Sequence, residues 1–206
     1  MIRPEVIFLN GATSAGKSTL ALSLQKRLSD TWLRFSVDDP LQRAPLRLHD
    51  NPAGFQFEVR PDGAVALNIG REGERLLRAW RRMLRAAVDA GQRLILDEVI
   101  LSPLMLRDWL EVFEDCDVFF VGVRCDLAEL ERREAARGDR MPGQALWMHE
   151  LVHAHGLYDL EVDSTFTPAG AMAQTIVGAI DAPPEPRAFD RLRASSSAVS
   201  AAPPSP

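Results

Sequence analysis

The sequence predicts an α/β fold built on a doubly wound parallel sheet, and three observations predict it. Five short apolar runs, at residues 6–9, 33–37, 94–96, 118–123 and 160–162, have the length and composition of strands buried on both faces. Longer stretches with apolar residues at helical spacing lie between them, so successive strands are joined by crossovers. The chain has 206 residues, enough for one such domain with a well-buried core and too few for two.

Taken in order, the first strand (6–9) runs into Asn10-Gly11, and a helix follows over 17–28. The second strand, 33–37, ends on Asp38-Asp39-Pro40. Residues 39–70 then break the alternation with proline and glycine. Within them "FEVRPDGAVAL" predicts a hairpin turning at Pro61-Asp62-Gly63. Residues 72–90 return to helical spacing, with Leu76, Leu77, Trp80, Leu84 and Val88 on one stripe facing the core. Strands 94–96, 118–123 and 160–162 alternate with helices 104–113, 127–136 and 169–180. From residue 183 the chain is rich in proline, alanine and serine and reads as a disordered tail, leaving a domain over 1–182.

Bulk properties narrow the function. Net charge is −5, and arginines are scattered among acids rather than gathered in a basic stripe, which argues against a nucleic-acid partner. No apolar run approaches the ~20 residues of a membrane span, and no signal-peptide pattern opens the chain. The expectation is a cytoplasmic protein without a membrane partner; its oligomeric state is left open. Cys116 and Cys125 flank the run 118–123 and read as buried reduced thiols.

The most informative line is "VIFLNGATSAGKSTLAL". Gly11, Ala12, Thr13, Ser14, Ala15, Gly16, Lys17, Ser18 and Thr19 fit the G-x-x-x-x-G-K-[ST] pattern between a strand and a helix. Its glycines let backbone N–H groups close around phosphate oxygens, and the helix N-terminus adds a favourable dipole. Lys17 is then the β/γ-phosphate ligand and Ser18 a Mg²⁺ ligand. A phosphate loop of this kind calls for an acid at a neighbouring strand end. "RLILDEV" supplies Asp97 as a second Mg²⁺ ligand, with Glu98 beside it.

Two more features bear on phosphoryl transfer. Asp38 and Asp39 stand at the C-terminal end of the second strand, the sheet edge where ligands bind. Asp38 is the candidate base that takes the proton of an attacking hydroxyl, with Asp39 as understudy; a helix start at Asp-Asp-Pro would equally explain one of them. "RREAARGDR" spaces Arg133, Arg137 and Arg140 about a helical turn apart, candidates for a lid (132–143) over the phosphates or a solvated helix face.

One segment points elsewhere. "HELVHAHGLYD", residues 149–159, reads H-E-x-x-H-x-x-G-x-x-D, with His149, His153 and Asp159 as zinc ligands and Glu150 as base of a peptidase. It follows the lid and runs straight into the last strand, and the expectation is an ordinary helix.

In series, "LNGATSAGKS", "WLRFSVDD", "LILDEV", "VGVRCD", "ARGDR" and "YDLEVDST" resemble the chloramphenicol phosphotransferase family of P-loop kinases over residues 4–180. The resemblance implies a five-stranded parallel sheet of nucleotide-kinase type, ATP and Mg²⁺ as cofactors, and transfer to the primary hydroxyl of chloramphenicol. It places Lys17 and Ser18 on the nucleotide, Asp38 as base, and Arg133 and Arg137 in the lid. The 39–70 insertion, with Leu41, Leu46, Phe55 and Phe57, is the expected acceptor-binding element. Those groups suit an aromatic antibiotic and equally other small alcohols. A kinase of another metabolite or nucleoside and a nucleotide-dependent switch protein are the alternatives.

Overall fold

The alternation of apolar runs is realised as a five-stranded parallel sheet. The computed structural model describes residues 4–138, 141–182 and 185–200. Strand β1 (Val6–Asn10) leads through the phosphate-loop segment to α1 (Lys17–Arg27) and β2 (Trp32–Ser36), and then to the short α2 (Asp38–Gln42). The hairpin β3 (Phe55–Val59) and β4 (Val65–Ile69) is followed by α3 (Arg71–Asp89), β5 (Arg93–Glu98), α4 (Pro103–Val112) and β6 (Val118–Arg124). Next come α5 (Leu127–Arg137), α6 (Gln144–Leu151), β7 (Leu160–Asp163), α7 (Ala169–Ile180) and α8 (Ala188–Ser200). Strand order is β2-β5-β1-β6-β7, every pairing parallel, with β3-β4 a separate antiparallel ribbon.

Because successive strand residues point to opposite faces, β1 feeds two cores. Ile7 and Leu9 pack with Leu20 and Leu24 of α1 and Ile176 of α7. Val6 and Phe8 pack on the other face with Leu84 of α3, Trp109 of α4 and Phe189 of α8. A third, small cluster joins Leu48 and Phe55 to Leu77 and seats the hairpin on α3. The chain crosses sides after β5, passing over β1 to reach β6, so the C-terminal strand ends open onto a cleft at that switch point.

The stripe predicted on α3 divides. Leu77, Leu84 and Val88 are buried, whereas Trp80 is only partly so. Cys116 and Cys125 are free thiols, half-buried where full burial was expected.

The expected disordered tail is corrected at α8. Ala188 and Phe189 are sealed against Phe8 and Phe120, with Phe189 only 1% exposed. Arg187 grips Asp117 through two hydrogen bonds of 2.7 and 3.0 Å, and the Ala188 N–H donates to Asp159 at 2.7 Å. Composition averaged over the Pro/Ala/Ser-rich stretch hides "RAFDRLR", whose Phe189 and Leu192 share one face at i, i+3. The core therefore extends past residue 182.

Candidate active site

Asn10 pins the start of the phosphate loop. Its side chain accepts from the Ile100 N–H at 2.8 Å and donates to the Val152 carbonyl at 2.7 Å and the Tyr158 hydroxyl at 2.8 Å. At Gly11 any Cβ would lie 2.6 Å from the Val123 carbonyl, so the loop passes β6 only as glycine. Ser14 (φ 61°) and Gly16 (φ 80°) take the left-handed region, which turns the backbone around before α1 begins at Lys17. Thr13, Ser14, Gly16, Lys17, Ser18 and Thr19 line the cleft, while Ala12 and Ala15 are buried against the core.

Lys17 is held inward. Its Nζ donates to the Ala12 carbonyl at 2.9 Å and stands 3.5 Å from Asp97. Ser18 Oγ donates to the other Asp97 oxygen at 2.5 Å. A hydroxyl and a carboxylate in contact on the cleft floor are the hard oxygen donors Mg²⁺ takes, so these two residues fit that ion. Glu98, the next residue along β5, is 4% exposed and lines the cleft. Burial, reinforced by the charge of Asp97 and opposed by Arg81, pushes its carboxyl up to about 8.

The two aspartates after β2 separate. Asp39 accepts from the Ser36 N–H at 2.7 Å and from Arg43 at 2.7 Å, closing the turn into α2. Asp38 lines the cleft. The Val37 N–H bonds to the Asp97 carbonyl at 2.8 Å, which brings this turn beside the end of β5.

Arg133 works as a brace. Its Nε donates to Glu129 at 2.7 Å, and its other nitrogens reach the Ser164 carbonyl at 2.6 Å and the Ser14 carbonyl at 3.5 Å. It thereby ties the phosphate loop to the loop after β7. Hydrogen bonds from Arg132 and Arg133 draw the Glu129 carboxyl down to about 2. Arg137, in the last turn of α5, lines the cleft; Arg140 lies outside the described residues. The first part of the expected lid is thus the end of α5. Sequence reasoning missed its anchor, Glu134, a buried acid accepting from the N–H groups of Gly143 at 2.8 Å and Ala145 at 3.0 Å. Gly143 in turn accepts from the Val65 N–H at 2.9 Å, so the hairpin meets the last residue of the expected lid.

The far end of this ≈ 980 Å³ cleft is aromatic and apolar. Leu41 and Phe57 line it as expected; Phe55 is buried inside the hairpin core and Leu46 is 86% exposed. Trp80, Arg81, Met105, Trp109 and Trp147 also line the cleft and were not expected to. Nothing local marks them, because they come from α3, α4 and α6 and meet only in the fold.

The zinc-like segment is taken apart by its geometry. His153 Nδ1 lies 2.6 Å from the Tyr158 hydroxyl, and both oxygens of Asp159 serve backbone N–H groups, of Phe120 and Ala188. Burial, with Arg124 adding repulsion, draws His153 and His155 down to about 4. His149, Glu150 and His153 line a hollow of ≈ 400 Å³ apart from the cleft, together with Arg124, Cys125, Asp126 and Asp163. Among the described residues no three His, Cys, Asp or Glu side chains are grouped to hold a metal, and no helix is long and apolar enough to cross a membrane.

Residues 4–181 match the family model described as chloramphenicol phosphotransferase-like protein. The protein of Mycobacterium tuberculosis named "Putative O-phosphotransferase" is 35% identical over 197 residues, which span 92% of this chain and 88% of that one. Among solved structures, the APS kinase of Mycobacterium tuberculosis in complex with AMPPNP and APS superposes with a TM-score of 0.61 at 15% identity, over 88% of this chain and all of that one. The Deinococcus radiodurans tunicamycin resistance protein gives 0.58 at 16%, over 88% and 99% of the two chains. Shikimate kinase from Acinetobacter baumannii in complex with shikimate gives 0.53 at 14%, over 86% and 93%. At these identities the likeness is one of fold.

Proposed function

The chain belongs to the chloramphenicol phosphotransferase-like family, and from that premise we propose that it moves the γ-phosphoryl group of ATP to a hydroxyl of a small molecule. The observation that carries this reading is one continuous cleft with a phosphate loop at one end, an aromatic chamber at the other, and Asp38 along its wall. When bound, ATP supplies the phosphoryl group, and Mg²⁺ held through Ser18 and Asp97 offsets its charge. Lys17 has three N–H donors, of which Ala12 takes one, leaving donors for phosphate oxygens. Asp38 accepts the proton of the acceptor hydroxyl and aims its oxygen, a role Asp39 cannot share while it closes the α2 turn. Arg133 holds the phosphate loop in shape, and Arg137 is the cleft-lining cation for charge on the transferring group.

Chloramphenicol is the first acceptor to try, since the family's name and the aromatic chamber both favour it, and its phosphorylation would inactivate an antibiotic. We place the enzyme in the cytoplasm, where free thiols such as Cys116 and Cys125 stay reduced. Incubation with Mg²⁺, labelled ATP and chloramphenicol should give labelled drug, read by chromatography. Labelled product from a different alcohol but none from the drug would remove chloramphenicol and keep the kinase.

A further inference from the structure

Arginines that look scattered along the sequence are gathered by α3. Arg71, Arg75, Arg78, Arg82 and Arg85 recur at i, i+4, i+7, i+11 and i+14, which sets them in one stripe about 21 Å long on the helix. The first four are exposed and Arg85 is half-buried. Such a stripe works against its own helix, because like charges one turn apart repel. Neighbouring acids do little to relieve it. Glu72 is paired with Arg47, Asp108 with the buried Arg81, and Asp89 with Arg85 at the end of the stripe, while Glu74 lines the cleft. Among the described residues no carboxylate pairs with Arg71, Arg75, Arg78 or Arg82, although the exposed Arg43, Arg107 and Arg132 each hold one.

A second row adjoins the first. Ala79, Met83 and Ala86, at i, i+4 and i+7, are all exposed, Met83 by 62%. We propose that the outer face of α3 docks an acidic amphipathic helix of a partner protein, its carboxylates lying along the arginines and an apolar row lying along Ala79, Met83 and Ala86. Two helices share the same turn-by-turn spacing, so each arginine meets an acid without strain on either side. The apolar row decides against a nucleic acid. A phosphate backbone would engage the arginines and leave Met83 uncovered, and the net charge of −5 repels a long polyanion beyond the stripe. The stripe lies on the side of α3 away from Leu77 and Trp80, which line the cleft, so this surface stands apart from the proposed phosphoryl transfer.

The test is fluorescence anisotropy on the full chain with three labelled probes. One is a helical peptide of about 18 residues with glutamates at i, i+4, i+7, i+11 and i+14 and leucines on the adjoining row. The second is the same peptide scrambled, and the third is an oligouridylate of matched charge. The patterned peptide should bind about tenfold tighter than either control, and more weakly as salt rises. Arg75→Gln, Arg78→Gln and Arg82→Gln together should weaken it about tenfold, the scale of three exposed ion pairs. Taking the same charge from Arg27, Arg34 and Arg60, exposed elsewhere, should change binding by less than about twofold. Met83→Ser should cost the patterned peptide about threefold and the oligouridylate nothing. The stripe variant sheds like charges and should melt at or above the wild-type temperature, so its lost binding is not a lost fold. Patterned and scrambled peptides bound alike or not at all, an oligouridylate bound as tightly as the patterned peptide, or equal losses from the two triple variants would overturn the proposal.

Discussion

The two ends of the cleft are made in different ways. The nucleotide end is backbone, nine consecutive residues bent by Ser14 and Gly16 and squeezed past Val123 at Gly11. The proposed acceptor end is side chains, gathered from α2, the hairpin, α3, α4 and α6. A backbone cradle tolerates few sequences, because each left-handed or close-packed position constrains residue type. A side-chain wall tolerates many, because any large apolar group of suitable reach can fill it. The first end therefore announces itself in a sequence and changes little with substrate, whereas the second carries selectivity without a local signature.

Substitutions can break that contrast. The largest effect is expected at Lys17→Ala, which should cut turnover by about a thousandfold and weaken nucleotide binding with every acceptor. Asp38→Asn should slow transfer by about a hundredfold or more and leave the ATP dissociation constant near wild type. Near-normal turnover in that variant would take Asp38 out of the mechanism. Trp80→Ala tests the acceptor end alone. Its acceptor KM should rise by about tenfold with the ATP KM unchanged, and a parallel rise in both would mean that the two ends are not separable.

The smallest effect on chemistry lies behind the site. His153 and His155 stay neutral in the folded protein down to about pH 4, whereas an unfolded histidine takes up its proton near pH 6.5. Between those values the unfolded chain binds more protons, so stability falls as pH drops from 6.5 toward 4. For two half-buried groups the loss is on the order of 2 kcal/mol after allowance for solvent screening. Urea midpoints at pH 7.5 and 5 measure it. Replacing His153 with Gln and His155 with Phe together should flatten the dependence; an unchanged slope would assign it to other groups.

The same division explains what was legible. Strand runs, helix stripes and the loop glycines follow from local periodicity, and the sheet, α1 and α7 fall within a residue or two of expectation. Asp97 could be found because it closes an apolar run. Asp38 and Asp39 could not be told apart until the Ser36 and Arg43 bonds showed which one is committed to the turn. Trp80 looked like core because its spacing matches Leu77 and Leu84, and spacing says nothing about what covers a face. Glu134 and Phe189 were invisible for a related reason: the partners of one are nine and eleven residues along the chain, and α8 hides in a segment whose average composition suggests disorder. The metal-like histidine pattern misled in the opposite direction, since eleven letters cannot show that Asp159 is already taken by two backbone amides.

The most direct measurement of the central claim follows the γ-label of ATP with and without a pool of hydroxylated small molecules. The account predicts that the label leaves with an acceptor, in a product whose formation needs both Lys17 and Asp38. Label released only as inorganic phosphate, at a rate indifferent to every acceptor, would contradict it.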